Sequence, residues 1–224
     1  MPFADRVEAG RALARALGRY KGQPVVVLAL PRGGVPVAAE VAAALDAPLD
    51  LVLVRKIGAP GQPELAMGAV VDGADPIVVR NEDIIAALGV SEADFAAVRD
   101  AELAEIERRR RRYVGGRARA RIAGHVAIVV DDGVATGATT RAALRAVRMR
   151  QPSALVLAVP VASTDTVERL RREVDDLVCL EAHSQFGAIG YYYGDFTQVD
   201  DETVATLLAR HPVAPDSADG GGRS

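Results

Sequence analysis

The sequence predicts an α/β protein: an open, mostly parallel sheet flanked by helices, with a smaller subdomain beside it. Two observations lead there. Short Val-rich runs, apolar at every position, recur along the chain and read as strands buried on both faces. Longer segments of helical character separate them. Strands that alternate with helices in this way are parallel neighbours joined by crossover connections.

The first strand is Val25 to Leu30, bounded by Gly22-Gln23-Pro24 and by Pro31-Arg32-Gly33-Gly34. A helix is expected over Val35 to Leu45 and a second strand over Asp50 to Val54. Met67 to Val71 and Pro76 to Arg80 are shorter strand candidates around the turn Asp72-Gly73-Ala74-Asp75. Between them and the second strand, Ile57 to Ala66 is so dense in Gly and Pro that it reads as a long irregular loop, the kind that serves as a lid. Ser91 to Tyr113 is a long polar helix opened by the capping pattern Ser91-x-x-Asp94. Strand Val126 to Val130, helix Ala138 to Arg150, strand Ala154 to Val159, helix Thr164 to Val174 and strand Leu177 to Leu180 complete a core over 25–180. At the ends, 1–24 carries an amphipathic helix from Phe3 to Gly18, and 181–210 is rich in Gly and Tyr before a final helix. These two ends are expected to pack together as a cap. The tail 211–224 has nothing to bury and is expected to be disordered.

Composition narrows the function. In 224 residues, 27 Lys and Arg face 30 Asp and Glu, so no global charge draws the protein to nucleic acid or to an anionic membrane. Aromatics are only 4% and Trp is absent, which disfavours a base-stacking platform for single strands. The single Cys179 permits neither a disulfide framework nor a cysteine metal site. It lies in an apolar run and reads as a small buried thiol. No apolar stretch is long enough to span a membrane, and the first ten residues lack the apolar region of an export signal, so a cytoplasmic protein is expected.

The sharpest chemical signal is Val126-Ala-Ile-Val-Val-Asp131-Asp132-Gly133-Val134-Ala135-Thr136-Gly137-Ala138-Thr139-Thr140. A buried strand ends in two carboxylates, crosses a turn of small and hydroxyl residues, and enters a helix. The first amides of that helix lack intrahelical acceptors, and the helix dipole favours an anion there. Gly137 lets backbone approach a phosphate, and Thr136, Thr139 and Thr140 can add hydroxyl donors. Asp131 and Asp132 accept hydrogen bonds only, so they suit sugar hydroxyls or the waters of a hydrated cation one sugar width away. Together these groups describe a sugar-phosphate site. No lysine follows Gly137 at the spacing of a nucleotide P-loop, and no Gly-x-Gly-x-x-Gly follows the first strand. At the end of that strand, Gly33 and Gly34 free the backbone to curl around an anion, and Arg32 adds a forked cation.

The run Val129 to Thr140 resembles the phosphoribosyl-pyrophosphate motif of type I phosphoribosyltransferases, and the resemblance extends over roughly Val25 to Leu180. It implies the fold of that family, with a small hood over the acceptor. It implies that Asp131 and Asp132 bind the ribose hydroxyls and that Ala135, Thr136, Gly137, Ala138 and Thr139 bind the 5-phosphate. Arg32, Gly33 and Gly34 would form the pyrophosphate loop, with a cis Pro31–Arg32 bond. Val54-Arg55-Lys56 resembles a segment of the orotate enzyme and would bring Arg55 and Lys56 to the pyrophosphate; Lys56 is one of only two lysines. Glu64 would touch the incoming nucleophile, as a loop carboxylate does in adenine enzymes. Phe186 and Tyr191, in the Tyr-rich segment, would stack on the acceptor.

By the same resemblance the activity is transfer of a phosphoribosyl group from phosphoribosyl pyrophosphate to a small nitrogenous acceptor. Mg²⁺ would be held by the substrate and bridged through water to Asp131 and Asp132. Two departures bear on the acceptor: Ala135 stands where enzymes for 6-oxopurines carry an acid, and the loop lysine of the orotate enzyme is missing. A homodimer is left open. A second function class is a non-catalytic sensor of phosphoribosyl pyrophosphate that signals to RNA or a protein; a third is a sugar-phosphate hydrolase or phosphorylase-like enzyme. The basic run Arg108 to Arg112 would serve the sensor. Glu105 and Glu107, however, precede Arg109 and Arg111 by one helical turn, so a solvated, internally compensated helix is the expectation.

Overall fold

The computed structural model describes residues 2–73 and 75–213. Five parallel strands form the main sheet in the order β2-β1-β6-β7-β8: β1 Val25–Ala29, β2 Leu49–Leu51, β6 Val126–Val130, β7 Ala154–Ser163 and β8 Asp176–His183. Every residue of β1 and β6 is buried, the reason those runs are apolar throughout. Helices cover both faces. α1 (Arg6–Ala16), α2 (Gly34–Leu45) and α4 (Glu92–Val114) enclose one apolar cluster with Val27, Ile128 and Val156; α5 (Ala138–Met149) and α6 (Thr164–Leu170) enclose the other with Leu28, Val129 and Leu157. Ser91 caps α4, its hydroxyl accepting from the Asp94 amide. No helix among the described residues is long and apolar enough to cross a membrane.

The smaller subdomain beside the parallel sheet is a three-stranded antiparallel sheet of β3 (Val54–Ala59), β4 (Gln62–Val71) and β5 (Ile77–Arg80), followed by the short helix α3 (Glu82–Leu88). Here the expectations need correction. The second strand stops at Leu51 rather than Val54, because Val54 already belongs to β3. Arg55 and Lys56 therefore do not close a strand of the parallel sheet. The segment 57–66 is not an irregular loop but the heart of a hairpin, with Ala59 opposite Gln62. Its Gly and Pro have structural uses: Gly61 turns the hairpin at φ 73°, and the register shifts on either side of Gly58, where a side chain would strike the Pro63 backbone.

The arginine run is not uniformly solvated either. Arg108 and Arg109 pair with Glu105, and Arg112 pairs with Asp201. Glu107 reaches Arg119 instead of Arg111. Arg110 is buried between Asp50 and Asp72, and Asp72 also holds Arg119. α6 ends at Leu170, four residues short of the expected helix, and β7 runs on to Ser163.

α1 and the chain after β8 meet. Phe3 bridges Tyr193, the Gly194 amide donates to the Phe3 carbonyl, and Phe3, Ala9, Val161, Phe186, Ile189, Tyr192 and Tyr193 share a small apolar cluster. The last helix, α7 (Asp201–Ala209), packs on α4 and α2. Of the expected tail, His211 to Val213 is ordered against the fold: Arg117 donates to the His211 carbonyl and Val213 touches the second core cluster. Residues 214–224 lie outside the described residues.

Candidate functional site

β1 feeds α2 and β2 on one side, whereas β6 lies on its other side, so the strand order reverses between β1 and β6. A crevice opens at the carboxyl ends of two strands that part in this way. The register sets Ala29 beside Val130, and the Leu30 amide donates to the Val130 carbonyl at 2.9 Å. The next residues, Pro31 to Gly34 and Asp131 to Gly137, therefore enter the crevice side by side.

The two sequence-distant pairs Gly33-Gly34 and Asp131-Asp132 are packed on each other. A methyl on Gly33 would sit 2.6 Å from the Asp132 carboxyl carbon, and one on Gly34 would sit 2.8 Å from the Val130 carbonyl oxygen and 3.0 Å from the Asp131 Cα. Gly33 has ordinary right-handed dihedrals, φ −60° and ψ −35°, so closeness to Asp132 rather than backbone freedom requires glycine there. The Pro31–Arg32 peptide bond is cis.

Beyond Asp132 the loop is stitched to the extension of β7. The Val134 amide donates to the Val161 carbonyl and the Ser163 amide to the Val134 carbonyl; Thr166 Oγ1 and Ser163 Oγ donate to the Ala135 carbonyl at 2.7 and 3.2 Å. With that carbonyl turned toward α6, Gly137, at φ 78°, caps α5, leaving the first amides of the helix without intrahelical acceptors. Thr136, Ala138 and Thr139 are exposed around this terminus. Thr140 is buried, so its hydroxyl does not join them.

The carboxylates are electrostatically stressed. Burial raises the pKa of Asp131 well above its ordinary value, and the like charge of Asp132 adds to the rise. Burial also raises Asp132, opposed by Arg6, whose Nε donates to Oδ2 at 2.8 Å. Asp132 is further held by its backbone, whose carbonyl accepts from the Tyr193 hydroxyl at 2.6 Å.

The cations expected at the pyrophosphate surround the crevice but each contacts an acid. Arg32 lies 3.5 Å from Asp201 at the start of α7, Arg55 donates to Glu102 on α4 at 2.6 Å, and Lys56 donates to Glu64 across the hairpin at 3.0 Å. Glu64 is almost fully exposed. Lys56 and Thr139 nonetheless share one cleft of about 520 Å³, with Val54, Gly68, Arg80 and Ala138 among its walls. A narrow crevice joins Pro31, Arg55 and Thr139. Phe186 stacks on Tyr192 at 5.0 Å and Tyr192 on His183 at 4.5 Å, so Phe186 already has an aromatic partner, whereas Tyr191 is 78% exposed. Ile189 packs over Gly133 and brings this segment next to the carboxylates.

Sequence reasoning missed Arg6, Tyr193 and Phe196. Arg6 carries one local sign, a cation at the first position of a helix, where the dipole disfavours it. Among the described residues there is no cluster of three side chains suited to a metal. The two carboxylates, one already paired with Arg6, fit a hydrated divalent cation carried chiefly by a substrate's own oxygens.

A family model described as the phosphoribosyl transferase domain matches residues 5–195. Two relatives from strains of Mycobacterium tuberculosis, each carrying the name "Putative phosphoribosyl transferase", are 46% identical over 208 residues, 93% of this chain. The chain spans about half the length of these curated relatives, 46%. The crystal structure of a protein from Thermus thermophilus, TT1426, is 42% identical, with a TM-score of 0.77 over 95% of this chain and 100% of that one.

Proposed function

The chain belongs to the phosphoribosyl transferase domain family, and from that membership we propose that it transfers the 5-phosphoribosyl group of phosphoribosyl pyrophosphate to a nitrogenous acceptor. One observation carries the reading: paired carboxylates lie against a Gly-Gly loop at the strand-order reversal, beside an open helix terminus. The amides and hydroxyls of 136–139 receive the 5-phosphate. Asp131 and Asp132 accept from the ribose hydroxyls and place negative charge near a ring that becomes oxocarbenium-like as the bond from C1 to the pyrophosphate oxygen breaks. Pyrophosphate leaves with the electron pair, and the acceptor nitrogen forms the new bond to C1 and gives up its proton.

Arg32, Arg55 and Lys56 exchange their present acidic partners for the pyrophosphate. Glu64, on the exposed hairpin, is the carboxylate that meets the acceptor, and Phe186 and Tyr191 provide aromatic surface for it. Mg²⁺, held by substrate oxygens and through water by Asp131 and Asp132, would neutralise charge on the leaving group. Ala135 argues against a 6-oxopurine acceptor. The reading places the protein in the cytoplasm. The alternative of a sensor signalling through RNA is weakened by the ion pairs that already engage Arg108, Arg109, Arg110 and Arg112.

Isothermal titration with phosphoribosyl pyrophosphate and Mg²⁺ tests the site: the wild type should bind and Asp131→Asn/Asp132→Asn should not, with its circular dichroism unchanged. Pyrophosphate release across a panel of nitrogenous bases tests the activity. Binding without turnover on any base would favour the sensor.

A further inference from the structure

Asp132 is gripped by segments from opposite ends of the chain. Its side chain meets Arg6, 126 residues away, and its backbone carbonyl meets the Tyr193 hydroxyl. Arg6 is itself immobilised. Its guanidinium carbon lies 3.9 Å from the centroid of the Phe196 ring and 5.9 Å from that of Tyr193, and Nη1 donates to the Thr197 carbonyl at 2.9 Å. Both members of the Arg6–Asp132 pair keep only 11% side-chain exposure. A cation fixed by three groups other than its carboxylate partner is not a gate that swings away. It uses Nε on one carboxylate oxygen and leaves the other as an acceptor.

The fold does not require arginine at this position. α1 is anchored by Ala9 and Leu13, both fully buried, and the N-terminal segment is tied to residues 192–195 by backbone bonds and by the apolar contact of Phe3 with Tyr193. A positive charge at the first turn of α1 opposes the helix dipole. Its evident use is at Asp132.

Resting on the phosphoribosyl-transfer reading, we propose that Arg6 is a positioning residue for substrate binding: clamped by Phe196 and Thr197, it holds the Asp132 carboxylate against Gly33 in the orientation that receives the ribose hydroxyls. Removing it leaves Asp132 beside Asp131 with no counter-charge and free to turn.

The test is the affinity for phosphoribosyl pyrophosphate with Mg²⁺, measured by isothermal titration on the wild type and on Arg6→Ala, Arg6→Lys, Phe196→Leu, Asp132→Asn and Arg6→Ala/Asp132→Asn. Arg6→Ala should weaken binding roughly tenfold to a hundredfold, the range in which outer partners of ligand-holding carboxylates act. Arg6→Lys, which keeps the charge but loses the planar stack on Phe196, should recover only part of that loss, and Phe196→Leu, which keeps the cation but removes its platform, should also give an intermediate one. In the Asp132→Asn background, Arg6→Ala should cause no further loss, because the two residues act as a unit. A purely structural role would lower the melting temperature in both backgrounds and leave affinity unchanged. Unchanged or tighter binding in Arg6→Ala, or equal losses in both backgrounds, overturns the proposal while the function stands. A wild type that does not bind the ligand overturns both.

Discussion

A single methyl group at Gly33 tests whether the site is as closely packed as its geometry requires. Gly33 adopts φ −60° and ψ −35°, which alanine tolerates, so on backbone grounds alone Gly33→Ala should stabilise the protein by about 0.4–1 kcal/mol through the unfolded chain. The added carbon, however, would lie 2.6 Å from the Asp132 carboxyl carbon and closer still to Oδ2. Asp132 cannot retreat without lengthening its 2.8 Å bond from Arg6. Overpacking of this kind costs about 1–3 kcal/mol, so the net effect should be a loss of about 1–2 kcal/mol. For a chain of this size that lowers the melting temperature by about 2–8 °C. Gly18→Ala is the matched control: among the described residues nothing lies within 4 Å of the new methyl, and no positive φ is involved. Thermal denaturation by circular dichroism, with titration of phosphoribosyl pyrophosphate, should show Gly33→Ala less stable and weaker binding, and Gly18→Ala unaffected or slightly stabilised. If the two variants melt and bind alike, the close approach of Gly33 to Asp132 is not what the site depends on.

Three further outcomes follow from the electrostatics. Arg110→Met removes the cation from between the buried carboxylates of Asp50 and Asp72 and should cost about 3–5 kcal/mol in urea denaturation, against less than about 1 kcal/mol for the exposed Arg111→Met. Asp131 has a folded pKa above its unfolded value of about 3.9, so the folded state holds the extra proton and stability falls as pH rises through the folded pKa. Asp131→Asn should therefore melt above the wild type at neutral pH while losing ligand binding, and the gap should close toward about pH 4; a variant that melts lower at neutral pH contradicts this. Cys179 is half-buried rather than sealed in the core, and its thiol, pushed up to about 11 by burial, should react with a disulfide reagent at neutral pH more slowly than an unfolded cysteine, the difference vanishing in urea; equal rates in both states would contradict this.

How far the sequence reveals each element depends on the physics of that element. β1, β6 and β7 were legible because a strand buried on both faces must be apolar at every position, a property of consecutive residues. The loop after β6 is legible for the same kind of reason: strand, acids, glycine and hydroxyls lie within fifteen residues. The β3–β4 hairpin is hidden in the sequence because Gly58, Gly61, Pro60 and Pro63 carry the composition of a loop, while the antiparallel pairing that gives them a place depends on β5 and on packing against α4 and α5. Arg110 looked like its exposed neighbours in the run because nothing local distinguishes the one arginine whose helix face meets Asp50 and Asp72.

The alternation of strands and helices, the family resemblance and the identity of the two carboxylates are each encoded in residues adjacent along the chain, and so can be read from it directly. Which partners those carboxylates have follows from the packing of the folded chain alone. Gly33 below, Arg6 and Tyr193 alongside and the acids that engage Arg32, Arg55 and Lys56 come from distant segments. Whether two charges meet across more than a hundred residues depends on how helices and sheets are stacked, and no local pattern records it.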